Sequence, residues 1–518
     1  MTNGTGDTID TQPETPAPRP TSTGRKLLMG SISRMVLIGA QIVIGFFMMP
    51  FLLDHLGNRW YGVWTVLSSL LAYFYLMDVG LGYAVQLCCA RYIAQKDYAR
   101  ANSVINTALV IYSGIAIVIL IVTAVLATTV DRFVGTTADA NLVALTLLIM
   151  GINVALEFPI LAFAGIVSAY SRFDLLSYSR LAMLTVTTAL TVYFVGHGYS
   201  IFAMALIALV CGQLSNLSFF LISKYCFPQL KIGLRWFRKS QVRELANYSL
   251  WSMLNGISSL IKFKLQPMVI AFFSGPVMVT HYVVGSRLAD YFRDLLFQAT
   301  NLTMPMLARY HVLDQNDQIR EKLRFLSKVN TLLAVFGGGL IIIFGRAFID
   351  RWLGPEYPDA YPVLVVLVTA MAVEVMIDPA RSTMSAMGKI RFVGVLEMVE
   401  AIINIVLTII LVRLHGIFGA ALGLAIPLLL LKVLLVPTVL CKHVGMRSSL
   451  LYRSMVPAIL ITGTYLLVYG WAVNHYFAPD SYPGMLLGAA LAVPLFVPIV
   501  YFLFEKNEIA IIRRILPF

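Results

Sequence analysis

The chain has 518 residues, 59% of them hydrophobic and 13% charged, and a formal charge of +13 at pH 7. A soluble domain of ordinary composition carries about 25% charged residues, so a soluble fold is excluded. Apolar runs of about 20 residues recur along the whole length, and the alternating segments of a membrane barrel are absent, which predicts an all-α polytopic membrane protein.

Residues 1–26 open the chain with the Thr- and Pro-rich stretch "MTNGTGDTIDTQPETPAPRPTSTG". It lacks an apolar h-region and reads as a disordered cytoplasmic tail, not a signal peptide. Six predicted spans follow at about 31–53, 60–85, 102–128, 141–168, 176–196 and 200–222, an N-lobe over 27–222. A basic cytoplasmic linker over 223–246 contains Trp236–Phe237 among Lys and Arg, a pattern shared by interfacial helices and by plain basic links. Six more spans, at about 247–273, 276–304, 326–349, 361–387, 392–412 and 416–440, form a C-lobe over 247–440. Residues 441–518 hold the last two of fourteen spans, at about 455–475 and 484–504, and a cytoplasmic C-terminus.

Lys and Arg fix the expected orientation. With the N-terminus inside, the cytoplasmic segments hold 28, the opposite side five (Arg59, Arg132, Arg346, Arg351, Arg413) and the spans six. Both termini are therefore expected in the cytoplasm. The basic excess is a topology signal that also suits anionic membrane lipids, and a nucleic-acid partner is a poor explanation for it. The five cysteines and seven histidines show no metal-ligand spacing, so no metal or cofactor is expected.

The chain also repeats itself at an offset of about 218. Gly39 and Pro50 match Gly256 and Pro267, and the "ARY" at 90 matches the one at 308. "DRFVG" at 131–135 matches "DRWLG" at 350–354, Glu157 matches Glu374, "SAY" at 168 matches "SAM" at 385, and "HG" at 197 matches "HG" at 415. Seven matches in register indicate duplication. Units of six spans keep the same orientation, related by an axis along the membrane normal, with a substrate path expected between them.

The segment "MDVGLGYAVQ…ARYIAQKDYARAN" after span 2, with "HGYSIFAMA" and "HGIFGAALG" opening spans 6 and 12, resembles one known branch of transporters. These are the polysaccharide transporters, similar to O-antigen flippases, of the multidrug/oligosaccharidyl-lipid/polysaccharide (MOP) superfamily. The likeness covers roughly residues 30–505. It implies a bacterial inner-membrane exporter that moves an undecaprenyl-pyrophosphate-linked oligosaccharide to the periplasmic leaflet for exopolysaccharide or O-antigen synthesis. Polysaccharide polymerase or export machinery would be its partner.

The duplication supplies an internal control. A charge at mid-membrane costs about 2.5–3.5 kcal/mol on insertion scales. Lys262 and Lys264 in span 7 correspond to Gly45 and Phe47. Arg287, Asp290, Arg293 and Asp294 in span 8 correspond to Ser69, Ala72, Tyr75 and Leu76. The first lobe builds the same helices without these charges, so the fold does not require them. Arg287, Asp290 and Asp294 share one helical stripe, with Arg293 beside it. Lys262 and Lys264 lie about 200° apart, so at least one is expected to face the central cavity.

The functional reading is a cationic substrate site of Lys262, Lys264, Arg287 and Arg293, with Arg381 as a fifth member, gripping a pyrophosphate. Local pairing that merely fastens spans 7 and 8 is the competing reading. Asp290, Asp294, Glu157, Glu374 and Asp378 are the candidate cavity acids or ion-coupling groups. The symmetric placement of Glu157 and Glu374 favours a structural or gating role for that pair. No catalytic residue is assigned: the short outer connections hold no paired acids or nucleophile, and no nucleotide motif is present. A multidrug or small-metabolite antiporter of the same superfamily is the alternative function.

Overall fold

A computed structural model of the chain describes residues 23–78, 80–129, 139–300, 315–477 and 481–504, with single positions at 307, 310, 311, 313 and 508. Most of the tail, the "DRFVG" copy at 131–135, Pro305 and Ala308–Arg309 of the second "ARY" lie outside the described residues.

The described residues form thirteen α-helices and no strand. In chain order these are α1 (Thr23–Ala72), α2 (Leu81–Ala94), α3 (Tyr98–Ala127), α4 (Ala140–Ala169), α5 (Phe173–Gly196), α6 (Ile201–Cys226) and α7 (Lys239–Ser274). They continue as α8 (Pro276–Thr300), α9 (Asn316–Leu353), α10 (Ala360–Ala386), α11 (Ile390–Val444), α12 (Ser448–Ala472) and α13 (Tyr482–Leu503). Eleven stretches among the described residues are long and apolar enough to cross a membrane.

That count differs from the fourteen expected spans at three places, each with a physical reason. The stretch Ile32–Ala94 runs 63 residues, about 95 Å if it were one straight helix, far beyond a hydrocarbon core of about 30 Å. It breaks at Gly57, whose φ of 75° and ψ of 166° are non-helical. The stretch Arg391–Val444 is similarly long and breaks at His415–Gly416, where Gly416 takes φ 56° and ψ −136°. The third is α8, whose two arginines and two aspartates keep it outside the apolar set.

Two large buried clusters organise the packing. One joins α2, α3, α4 and α6 around Cys88, Tyr112, Leu147, Phe158 and Ile201. The other joins α7 to α12 around Ile270, Val284, Leu364, Ala420 and Leu428. It also takes in Met49, Leu52, Tyr61 and Val66 of α1. The first helix therefore lies on the seam between the halves, packed on α5 from its own half and on α7 and α8 from the other. All five cysteines lie among the described residues, and none is in a disulfide.

Candidate functional site

The two lysines of α7 point apart, as a separation of two residues on a helix requires. Lys264 is exposed and faces the seam. With Gln266, Ser286, Arg287 and Asp290 from the second half, and Thr65 and Ser69 from α1, it lines a polar cavity of about 70 Å³. That is room for about two waters. Arg287 is also exposed and lies beside the Tyr61 hydroxyl of α1, a contact across the seam. Arg293 turns aside. Its guanidinium lies 4.3 Å from the centre of the Phe263 ring and pairs with Asp294 at 3.0 Å and Asp290 at 3.5 Å.

Lys262 takes the opposite face of α7 and is 2% exposed. It bonds Glu397 and lies 3.3 Å from Glu400, both on α11. Lys432 completes the group, 2.5 Å from Glu374 of α10, 3.3 Å from Glu397 and 3.9 Å from Glu400. The break in α11 brings these residues together. Beyond His415–Gly416 the chain doubles back so closely that a Cβ at Gly423 would sit 2.4 Å from the Thr408 hydroxyl. Only glycine fits there, and the same pairing continued along both arms sets Lys432 level with the Glu397–Glu400 turn. Three carboxylates thus face two ammonium groups, one negative charge in excess when all five are ionised. Both Glu400 oxygens are buried without a hydrogen-bond donor, although they lie in ionic contact with the lysines.

The remaining candidates are dispersed. Arg381 reaches Asp378 at 2.5 Å, and Ser382 donates to the other Asp378 oxygen, so this pair satisfies itself within α10. Glu157 is half-buried and accepts a hydrogen bond of 2.6 Å from Tyr75. Glu374, its counterpart by sequence, is tied to lysine, so equivalent positions hold different partners. Glu397, Glu400 and Lys432 were missed from sequence. They stand inside predicted spans 11 and 12, and the cost argument applied to spans 7 and 8 also marks them. At offsets of 217–218 the first half holds Ser179–Arg180, Ala182–Met183 and Leu214–Ser215 in their places, so this cluster of three acids and two lysines belongs to one half alone.

A polar seal closes the seam on one side of this cavity. Tyr357 donates to the Asn58 side chain at 2.6 Å, Thr280 to the Asn58 carbonyl at 2.7 Å, and the Trp352 indole to the Phe46 carbonyl at 3.0 Å. Gly62 lets the backbones meet, since a Cβ there would lie 1.9 Å from the Pro276 carbonyl oxygen. The substitution Gly62→Ala is therefore expected to force the seal apart. A cysteine placed at Thr65 should then react several-fold faster with a water-soluble maleimide than it does in the Gly62 background.

Comparison with known proteins places this architecture. The model of a family described as polysaccharide biosynthesis protein matches residues 60–362. The chain belongs to this family. It is 20% identical over 457 residues to a curated relative, the uncharacterized membrane protein EpsK of Bacillus subtilis (strain 168), covering 86% of this chain and 89% of that one. Its fold matches the lipid II flippase MurJ in an inward closed conformation, with a TM-score of 0.72 at 14% identity over 92% of this chain and 99% of that one. A MOP-superfamily transporter from Pyrococcus furiosus, reported with a binding pocket of reversed polarity, matches with a TM-score of 0.60 at 14% identity over 83% and 96%. The chain is thus a multi-pass membrane protein of this family, and the folds it matches are those of membrane transporters and flippases.

Proposed function

We propose that this protein is a flippase carrying a polyprenyl-pyrophosphate-linked oligosaccharide across the bacterial inner membrane, with both termini in the cytoplasm. The observation that carries the reading is the pairing of Lys264 and Arg287 at one cavity on the seam between the halves. Both stand where the first half has Phe47 and Ser69, so they serve something other than the repeated fold. An arginine fork beside a lysine point charge suits the pyrophosphate of a lipid-linked glycan. Cargo enters when the halves part below the Asn58 seal, crosses with its headgroup against these two cations, and leaves when the seal opens. The polyprenyl tail stays in lipid. Lys262 acts at a distance from the cargo, holding α7 to α11.

The test is a leaflet-accessibility assay of a lipid-linked oligosaccharide in proteoliposomes. Wild-type protein should expose the headgroup to an external glycan-modifying enzyme in a time-dependent way. Vesicles that expose it no faster than protein-free ones contradict the assignment.

A further inference from the structure

Between α6 and α7 the chain runs as a strap across the end of α3. Asn102 of α3 donates to the Gln229 carbonyl at 3.0 Å and accepts from the Lys231 amide at 2.7 Å. One turn on, Asn106 donates to the Lys231 carbonyl at 2.7 Å and accepts from the Gly233 amide at 2.8 Å. Thr107 then receives the Arg238 amide at 3.2 Å. Two side-chain amides thus grip the strap as a neighbouring strand would, and all three gripping residues are buried. The second half has a related clasp: Arg320, 218 residues after Asn102, donates to the Val444 carbonyl at 2.8 Å where its sixth helix ends. The grip is therefore a device of the repeated fold.

What the strap displays is not required by that fold. With its backbone bound on the inner side, the strap turns outward Leu234 at 80% exposure and Ile232 at 54%, and the end of α6 beside it adds Tyr225 at 74%. Interleaved with them are five exposed bases, Lys224, Lys231, Arg235, Arg238 and Lys239, and residues 224–239 contain no acid. Apolar side chains that protrude between cations cannot be buried by the protein and are costly to leave in water. They match a surface that is negative at the level of the bases and apolar just beneath it.

We propose that residues 224–239 form a preformed docking surface for the anionic headgroup layer of the membrane. Leu234 and Ile232 enter the headgroup–acyl boundary while the five bases hold lipid phosphates. Because the strap is already ordered, binding needs no folding step, and because Arg238 is pinned to α3 at the start of α7, the strap fixes where α7 leaves that surface. This surface is separate from the Lys264–Arg287 cavity and stands or falls apart from the flippase reading.

The experiment places an environment-sensitive fluorophore at Leu234→Cys in the full-length protein, with Cys226→Ser, reconstituted in nanodiscs. The discs are phosphatidylcholine alone or phosphatidylcholine with rising phosphatidylglycerol. Label emission should shift to the blue as phosphatidylglycerol rises and should reverse in high salt. The triple substitution Lys231→Gln, Arg235→Gln, Arg238→Gln should move the midpoint to roughly tenfold more anionic lipid, or abolish the shift. An unchanged fluorophore in both lipids overturns the proposal. So does an equal shift in both, or one that needs added cytoplasmic protein. Size-exclusion elution matching wild type certifies that the triple variant is folded.

Discussion

Cells that rely on Lys264→Ala, Arg287→Ala protein should hold normal amounts of it in the membrane and export almost no polysaccharide. Each residue lines the seam cavity, and neither is bound into the buried cluster, so removal costs the fold little. A hydrogen bond to a charged group contributes about 1.5–3 kcal/mol, so each single alanine variant should slow transport by roughly tenfold to a hundredfold. Arg287→Lys should fall between wild type and Arg287→Ala, because it keeps the charge and loses the two-pronged geometry. Surface polysaccharide measured beside immunoblotted protein reads both quantities. Normal export from the double variant would remove the two cations from the transport path.

The second large effect lies in the buried cluster. Lys432→Met should destabilise the protein by about 3–5 kcal/mol, because it leaves Glu374, Glu397 and Glu400 facing Lys262 alone in a site closed to water. The double substitution Lys432→Met, Glu374→Gln removes one charge of each sign and should regain a large part of the loss. Thermal unfolding in one detergent, compared across wild type and the two variants, gives the order. If Lys432→Met melts with wild type, the group is wet and the packing derived above is wrong. A reciprocal result is expected for Lys262→Met, which strips Glu397 of its bonded partner.

The fold was legible where the physics is local. Apolar runs of membrane length need only the sequence and gave the helices, and the short motifs around "ARY" and the two "HG" entries pointed to the family. The breaks were legible as gaps between spans. Gly416 lies at an "HG" that marks a span start, and Gly57 falls in the gap between predicted spans 1 and 2, though only its backbone angles single it out within that gap. In the candidate site, spacing alone showed that Lys262 and Lys264 diverge. It could not show which one meets the seam, because that depends on Glu397 and Glu400, more than 130 positions away, and on a hairpin whose closeness rests on Gly423. For Arg293 the sequence left local pairing open beside a cavity role, and only the packing shows its guanidinium on Phe263, Asp290 and Asp294; Arg381 is answered by Asp378 three residues before it. Asn102 closes the polar stretch quoted for the family likeness, yet its partners lie 127 and 129 residues on, in a linker that periodicity cannot place.

Recognition of an anionic headgroup by Lys264 and Arg287 between the halves is a binding property and can be measured as one. Equilibrium binding of undecaprenyl pyrophosphate and of undecaprenol to the purified protein, wild type and Lys264→Ala, Arg287→Ala, tests it most directly. Wild type should prefer the pyrophosphate by at least about a hundredfold, two charge-assisted contacts' worth, and the double variant should lose that preference while binding undecaprenol unchanged. Equal affinity of wild type for the two lipids, or a preference that survives in the double variant, would contradict the account.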